Sequence, residues 1–276
     1  LSLQPALATS CNSFFCYGLN AMLNNRTKYN STIDAFEVWK EHMIDLGFGY
    51  KTDVDLPSEK RGFIPNSKYY SNAFKNDRWV AHNIISIAIG QGEILSTPLQ
   101  LANFTAIIAN RGYYYKPHVV KERKGAALDT LFSTRRESNI SREHFELTVA
   151  GMADAVTRGT CRRANMEPYL TVCGKTGTAE NPHGEDHSLF IGFAPKDDPK
   201  VAIAVIVENG GFGATNAVPI GRLMMQKYLM GEIMPQDQAL EKTIASRVIL
   251  PFVYRRNAPV QRIDSTAIQM RDVQRN

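Results

Sequence analysis

The feature that most constrains the fold of this chain is the segment 201–207, in which all seven residues are apolar. Because the segment is short and rich in β-branched residues, it predicts a strand that is covered on both faces, as in a sheet with helices in front and behind. A second apolar segment at 189–193 precedes it, and Asp197-Asp198-Pro199 between the two is typical of a tight turn. The two segments therefore predict neighbouring antiparallel strands.

Three helices are predicted around these strands. Thr97 followed by Pro98 indicates a helix start, because threonine caps the first turn and proline lacks the N–H that would be unpaired there. Apolar residues then recur at helical spacing until Gly112, which favours a helix end. The same spacing predicts helices at 33–46 and 219–231. Helices before and after an antiparallel sheet indicate an α+β fold.

The composition excludes several classes of protein. Apolar residues make up 43% and charged residues 21% of the 276 positions, which is too apolar for a disordered chain. No apolar run approaches the roughly 20 residues that span a bilayer. The net charge of +5 permits an anionic partner, but no nucleic-acid-binding motif accompanies the basic residues at 116–142 and 247–275. We therefore expect no nucleic-acid partner.

Several familiar motifs are incomplete. Gly174-Lys175-Thr176 ends like a phosphate-binding loop, but Tyr169 stands where the first glycine is needed. Gly90-Gln91-Gly92 lacks the third glycine of a dinucleotide-binding turn. His183 and His187 are four residues apart, but the neighbouring proline and glycine oppose the helix that would bring them together, and the four cysteines form no C-x-x-C pair. We expect no cofactor and no bound metal.

The tetrapeptide Lys175-Thr176-Gly177-Thr178 is predicted to lie on or beside the first strand of the sheet. On a strand, Lys175 and Gly177 point to one face and the two threonines to the other. Gly177 keeps the strand surface low, so that an extended peptide can lie along it by strand addition. The lysine charge and the threonine hydroxyls suit a carboxylate group on that peptide.

A second short motif is Ser10-Cys11-Asn12, which is followed by an aromatic run. Ser10 and Asn12 are two residues apart and cannot share one face of a helix, so they favour a loop between helices. A simple helix cap is the alternative interpretation of these residues.

In this order, the S-x-N motif Ser10-Cys11-Asn12 and the K-T-G motif Lys175-Thr176-Gly177 are two of the three motifs of serine enzymes that react with penicillin. The chain resembles the transpeptidase domain of class B penicillin-binding proteins, most closely the penicillin-binding protein 2 type of the cell-elongation machinery. The resemblance extends over about residues 1–230 and includes further segments that look like this family: 46–49, 56–62, 89–92, 97–100, 175–180 and 186–195.

The resemblance implies a penicillin-binding-protein/β-lactamase-like transpeptidase fold of the α+β class, incomplete at its N-terminus, in which helices sandwich an antiparallel sheet. Residues 1–233 would be the C-terminal part of this domain, and 234–276 a tail or extension of unknown role. The family consists of bacterial cell-wall enzymes that are anchored in the inner membrane, with the catalytic domain in the periplasm or otherwise outside the membrane.

The resemblance also implies a reaction and its partners. A serine attacks the D-Ala-D-Ala end of a peptidoglycan stem peptide, releases D-Ala, and passes the acyl group to an amine of a second stem peptide. β-Lactam antibiotics mimic the terminal dipeptide and leave the serine acylated. The expected partners are therefore stem peptides, β-lactams and proteins of the cell-elongation machinery.

The same resemblance assigns roles to single residues. Ser10 would relay a proton towards the leaving amine together with lysines, and Asn12 would hydrogen-bond the amide of the acyl group. Lys175, Thr176 and Thr178 would hold the carboxylate of the substrate. The backbone N–H of Thr178 would form half of the oxyanion hole.

One motif of the family is missing from this chain. The nucleophilic serine of the family lies in an S-x-x-K motif before S-x-N, but no serine of this chain has a lysine three positions later. Only nine residues precede Ser10, so we expect the chain to begin inside the domain, after the nucleophile. Such a start would also account for Leu1 and for the absence of an anchor. We therefore expect the 276-residue chain alone to be inactive.

Three alternatives stay open. A β-lactamase or β-lactam sensor of the same superfamily would carry the same motifs. A non-catalytic peptide-binding or scaffold protein of the cell-wall machinery would keep the groove without the chemistry. Cys11 would be a metal ligand if further ligands belonged to the same site, although a buried thiol is the simpler interpretation.

Overall fold

The structure is a computed structural model of the 276-residue chain, and it describes residues 1–122, 124–125 and 129–249. The chain divides into two compact units, Leu1–Ala245 and Ser246–Asn276. Of the second unit, the structure describes residues 246–249.

The described part of the chain is rich in helices, with strands concentrated in its second half. The helices are α1 (Leu3–Thr9), α2 (Asn12–Leu23), α3 (Thr32–Asp45), α4 (Ser67–Phe74), α5 (Pro98–Ala109), α6 (Thr130–Ser133), α7 (Arg142–Thr157), α8 (Ala217–Met230) and α9 (Gln238–Ser246). The strands are β1 (Tyr113–Tyr114), β2 (Arg136–Glu137), β3 (Cys173–Ala179), β4 (His187–Ala194) and β5 (Val201–Val207), and 3₁₀ helices cover Ala81–Ile89, Arg162–Ala164 and Pro235–Asp237. Within the described ranges, no helix is both long enough and apolar enough to cross a membrane.

The main sheet has three antiparallel strands in the order β3-β4-β5. The pairing of β4 with β5 confirms the two strands and the orientation that the sequence predicts. Helix α8 packs on one face of the sheet and α5 on the other, which confirms the α+β fold.

The burial of β5 is weaker than its apolar sequence predicts. Its residues are mostly half-buried, and Val205 alone among them is buried. The reason is that β5 is the last strand of the sheet, with no neighbour on its outer side within the described residues. The two covering helices are present, as predicted, but they do not enclose an edge strand completely.

Three apolar clusters are found among the described residues. The first lies between the sheet and α8, around Phe190. The second lies between the sheet and the helices α5 and α7, around Phe193. The third joins α2, α3 and the 3₁₀ helix 81–89 around Phe36, whose ring packs edge-on against Trp79. The protein therefore has a sheet region and a separate helical cluster.

The predicted helices are present as α3, α5 and α8. At the start of α5, Thr97 Oγ accepts a hydrogen bond from the Gln100 N–H at 3.2 Å, and Gln100 Oε1 accepts one from the Thr97 N–H at 2.9 Å. This reciprocal cap is the physical reason for the helix start that the sequence indicates. Helix α8 ends at Gly231, whose φ of 81° is left-handed.

The residues that follow position 233 are partly helical. Residues 234–245 belong to the first compact unit, and Asp237 in this segment is buried. Its carboxylate accepts hydrogen bonds from the Arg222 guanidinium at 2.7 and 2.9 Å and from the Gln226 amide. The predicted division at 233/234 stays a prediction, and residues 250–276 of the predicted tail lie outside the described residues.

Candidate active site

The S-x-N motif lies at the break between the first two helices, as predicted. Helix α1 ends at Ser10, whose φ of 56° is left-handed, and α2 begins at Asn12. The Ser10 N–H donates to the Leu7 carbonyl at 3.3 Å, and the Cys11 N–H donates to the Ala6 carbonyl at 3.0 Å. These bonds close the last turn of α1 and fix the serine at its end.

The end of α1 is held by the residues that follow α7. The Thr160 N–H donates to the Ala8 carbonyl at 3.1 Å. Gly159 makes this approach possible, because a Cβ at that position would collide with the same carbonyl. The position of Ser10 thus depends on the end of α7.

Lys175 joins the two motifs. The K-T-G residues lie on β3, as predicted, and Lys175 Nζ donates to Ser10 Oγ at 2.7 Å and to the Thr176 carbonyl at 2.8 Å. No carboxylate among the described residues forms a salt bridge with this ammonium group. Burial lowers the pKa of Lys175. A lysine with a lowered pKa beside a hydroxyl is suited to moving a proton.

The two threonines of the motif already have partners in the protein. Thr176 Oγ donates to Thr160 Oγ at 2.9 Å, and Thr178 Oγ accepts a hydrogen bond from the Gly213 N–H at 3.3 Å. A Cβ at Gly213 would collide with the Gly177 carbonyl, so this glycine is what allows the loop before α8 to lie against β3. The Thr178 hydroxyl, which accepts a bond, still has its hydrogen for a ligand oxygen.

Asn12 is the predicted site residue whose side chain forms no hydrogen bond with the other residues of the site. Its side chain is exposed, and no hydrogen bond joins it to a described residue. Ser10 and the residues of β3 come together, whereas the amide of Asn12 points to no partner. Its predicted role stays a prediction.

Two residues of β3, Thr176 and Thr178, turn backbone carbonyls to the edge opposite β4. β4 pairs with one edge of β3, and no other described strand pairs with the opposite edge. The Thr176 carbonyl accepts from Lys175, and the Thr178 carbonyl accepts from the Gln91 side-chain amide at 3.1 Å. Because carbonyls alternate along a strand, Thr176 and Thr178 face the same edge, away from β4.

Gln91 is a site residue that the sequence alone did not reveal. In the sequence, its segment Gly90-Gln91-Gly92 is an incomplete dinucleotide-binding turn and part of a stretch that looks like the family, and neither feature indicates a contact with β3. The contact with Thr178 spans 87 positions of the chain, a separation that no local pattern reports. The two flanking glycines, with φ of 75° and 73°, are the one local signal of a tight turn at this place.

A cavity of about 580 Å³ adjoins this edge of the sheet. Its walls come from α2, α3, the 3₁₀ helix 81–89 and β3. Side chains such as Phe14, Phe15 and Trp39 make it largely apolar, whereas Gln91 and Thr178 are polar groups at its wall. The site therefore combines an apolar space with a few converging polar groups, as ligand sites commonly do.

The cysteines offer no reactive centre in this arrangement. All four are free thiols, and Cys161 and Cys173 are buried. Burial raises the pKa of Cys161 and raises that of Cys173 to about 12. Within the described residues, no three or more potential metal ligands lie close enough together to hold an ion. Cys11 is therefore not part of such a group among these residues.

Comparison with known proteins adds a family model. The model for the penicillin-binding protein transpeptidase domain matches residues 1–226. Among curated proteins, the chain is 36% identical over 235 residues to the peptidoglycan D,D-transpeptidase MrdA of Acinetobacter baumannii, covering 79% of this chain and 33% of that protein. It is 34% identical over 221 residues to MrdA of Haemophilus influenzae, covering 73% of this chain and 33% of that protein. The chain thus spans about a third of the length of these curated relatives.

Solved structures show the same similarity. The structure of Pseudomonas aeruginosa PBP2 in complex with WCK 5153 matches with a TM-score of 0.70 and 29% identity, over 86% of this chain and 51% of that one. The complex between PBP2 and MreC of Helicobacter pylori matches with a TM-score of 0.67 and 26% identity, over 84% of this chain and 40% of that one. The resemblance drawn from the motifs and the fold expected from it are therefore confirmed.

Proposed function

Because the chain belongs to the penicillin-binding protein transpeptidase domain family, we propose that it forms part of a serine-type peptidoglycan D,D-transpeptidase of the penicillin-binding protein 2 type. The observation that carries this proposal is the 2.7 Å hydrogen bond between Lys175 Nζ and Ser10 Oγ. It joins two motifs that are 165 positions apart at the open edge of a strand. The substrate is the D-Ala-D-Ala end of a stem peptide, and β-lactams act as its mimics.

In the proposed reaction, Ser10 relays a proton. Lys175 donates to Ser10 Oγ, which leaves the serine hydrogen free to be donated to the leaving amine of D-Ala. Lys175 can then replace that proton, and its lowered pKa reduces the cost of doing so. The relay in reverse accepts a proton from the attacking amine of the second stem peptide.

The edge of β3 binds the substrate in this proposal. An ammonium group has three donors, and Lys175 uses two of them on Ser10 and the Thr176 carbonyl, which leaves the third for the substrate carboxylate. The hydrogen of the Thr178 hydroxyl is a second donor. The outward Thr178 N–H is a donor for the oxyanion, and loss of one such donor costs on the order of 10²–10³ in rate.

The proposed reaction needs a nucleophile that these residues do not contain, since no serine among the 276 has a lysine three positions later. The test is to incubate the 276-residue chain and the complete gene product with a fluorescent penicillin, and to map adducts by mass spectrometry. We expect an adduct on an S-x-x-K serine of the complete product, and none on the 276-residue chain.

Three outcomes would contradict parts of the proposal. An adduct on Ser10 would make that residue the nucleophile rather than a relay. Rapid turnover of penicillin without a stable adduct would indicate a β-lactam-hydrolysing enzyme. A complete product without S-x-x-K and without an adduct would indicate a non-catalytic scaffold. A Ser10→Ala variant of the complete product, with Ser13→Ala as control, should lose about 10²-fold or more of the transpeptidation rate.

Partners and location are further parts of the proposal. One similar structure holds a penicillin-binding protein 2 with MreC, and another is described as a peptidoglycan synthase complex that coordinates polymerization and crosslinking. These neighbours support an elongation-machinery protein as partner of the complete product. The similarity to the MrdA transpeptidases supports a periplasmic catalytic domain, and an inner-membrane anchor in the complete product is a further part of the proposal. Co-purification of the complete product with such a partner from membranes would test the partner. Release of the penicillin-labelled product from the membrane fraction only when the envelope is solubilised would test the location.

A further inference from the structure

The Gln91 side chain occupies a backbone group that a peptide ligand would use. Its amide Nε2 donates to the Thr178 carbonyl at 3.1 Å, and the side chain is half-buried. The residue lies between Gly90 and Gly92, both with a left-handed φ. This tight turn directs the amide towards the outer edge of β3.

The turn that carries Gln91 is fixed to the helical cluster. Glu93, two positions after Gln91, accepts a hydrogen bond from the hydroxyl of the buried Tyr70 at 2.9 Å. A Cβ at Gly92 would lie 2.6 Å from Ser86 Oγ, so the turn also packs closely against the end of the 3₁₀ helix. Gln91 therefore reaches Thr178 from a defined position and is not a freely rotating surface side chain.

A strand that adds to the edge of β3 needs the group that Gln91 covers. An outward-facing residue of an edge strand offers both its N–H and its carbonyl to the new strand. At Thr178, the N–H is open to a ligand, but the carbonyl already accepts the Gln91 amide. An extended peptide gains its full set of backbone hydrogen bonds only when it takes that carbonyl.

We infer that Gln91 competes with a backbone N–H of the ligand for the Thr178 carbonyl, and that this competition sets the affinity of the groove for extended peptides. The identity of the ligand as a D-Ala-D-Ala peptide rests on the proposed function. The competing contact itself rests on the geometry of Gln91 and Thr178. A net hydrogen bond contributes about 0.5–1.5 kcal/mol, which corresponds to about a twofold to tenfold change in affinity.

The test compares Gln91→Leu with Gln236→Leu in the 276-residue chain. Both changes replace an amide by an apolar group of similar size, and Gln236 is exposed on the 3₁₀ helix 235–237. The probe is Nα,Nε-diacetyl-L-Lys-D-Ala-D-Ala, titrated while the backbone signals of β3 are followed by NMR. We expect Gln91→Leu to bind the probe about twofold to tenfold more tightly than the unaltered chain, and Gln236→Leu to bind it with the affinity of the unaltered chain.

A second set of probes separates competition from a change in the shape of the groove. In these probes each backbone N–H of the peptide is replaced in turn by N-methyl. The gain from Gln91→Leu should disappear for the one probe whose methylated nitrogen would have donated to Thr178, and persist for the others. A variant that merely loosened the turn would change the affinity for all probes alike.

The results distinguish this inference from the proposed function. Equal or weaker binding by Gln91→Leu, with the probe still binding at β3, overturns the competition and leaves the proposed substrate class intact. Equal gains for all N-methylated probes overturn it as well. If the probe binds none of the three proteins at β3, the proposed peptide groove itself is wrong and the inference falls with it.

Discussion

A single ammonium group holds the two motifs of the site together. Lys175 is half-buried, donates to Ser10 Oγ and the Thr176 carbonyl, and has no carboxylate partner among the described residues. Burying a cation without a counter-charge favours its neutral form, which is why the pKa of Lys175 lies below its ordinary value. The protein therefore gives up some stability to keep a lysine that can exchange its proton.

This cost predicts a pH dependence of stability. The pKa of Lys175 is lower in the folded chain than in the unfolded chain, so between the two values the unfolded state binds more protons. The free energy of unfolding of the unaltered chain, relative to that of Lys175→Met, should therefore rise as the pH increases towards the ordinary lysine pKa of 10.5. Urea unfolding of both proteins between about pH 7 and about pH 10 measures this difference.

The control for this experiment is Lys200→Met, which removes an exposed lysine next to the turn between β4 and β5. If the free energy of unfolding of the unaltered chain, relative to that of Lys200→Met, rises by a similar amount over this pH range, the trend does not come from Lys175. A difference that falls with increasing pH would contradict the buried, lowered-pKa state of this lysine.

Sequence reasoning at this scale found residues that carry a motif and missed residues that act through distant contacts. Ser10 and Lys175 were found because their motifs are local patterns. Gln91 was not, because its side-chain partner is the remote backbone carbonyl of Thr178. Gln100 stands at a local capping distance from Thr97, but its contacts with the loop 50–61 have no such local pattern. A side chain that binds remote backbone leaves no spacing in the sequence.

At the scale of elements, α5 is fixed at its start by a cap and by a buried amide. Gln100 is completely buried, and its Nε2 donates to the Tyr50 carbonyl at 2.7 Å and to the Arg61 carbonyl at 2.9 Å. One residue thus caps the helix and holds both ends of the loop 50–61. The start of α5 therefore positions the loop 50–61, although the two are not adjacent in the sequence.

We predict that Gln100→Leu is clearly more destabilising than Thr97→Ala. Removing the threonine cap should cost about 1 kcal/mol, whereas Gln100→Leu takes the buried amide away from the Tyr50 carbonyl, the Arg61 carbonyl and the Thr97 N–H together and should cost about 3 kcal/mol. Urea unfolding of both variants measures the costs. Equal costs would mean that water replaces the Gln100 amide at the two carbonyls.

The elements that the sequence predicts are those with a clear terminus or a continuous apolar pattern. The Thr-Pro start of α5, the Gly231 end of α8 and the apolar run of β5 all correspond to elements of the structure. The two-residue strands β1 and β2 were not predicted, because a bridge of two residue pairs has no period to detect. Helix α7 was also missed, although its buried residues face the sheet, because charged residues at its start weaken the apolar pattern.

At the scale of the whole molecule, the segment after α8 is joined to the sheet region by a buried ion pair. The side chains of Asp237 and Arg222 are 11% and 13% exposed, and the Gln226 amide adds a further hydrogen bond to the same carboxylate. The side-chain Oε1 of Gln226 in turn accepts a hydrogen bond from the Met234 N–H at 3.1 Å. These contacts tie residues 234–237 to α8.

We predict that Asp237→Ala costs about 3 kcal/mol, because it leaves the Arg222 charge buried without its partner. The matched control is Asp198→Ala, which breaks an exposed pair with Lys200 and should cost about 1 kcal/mol or less. Thermal unfolding of both variants measures the two costs. Similar small costs would indicate that 234–237 is dispensable and would favour the predicted boundary at 233/234.

The open edge of β3 also affects how molecules of this chain behave towards one another at high concentration. A strand with unpaired backbone groups is a template on which an identical strand can add, and such addition is a first step of aggregation. The Lys175 ammonium and the Gln91 amide cover the outward carbonyls of Thr176 and Thr178, so an approaching copy must displace these two donors before it can pair along this part of β3. If Gln91 competes with a ligand as proposed, the same contact also limits self-association, and we expect Gln91→Leu to be less soluble than the unaltered chain.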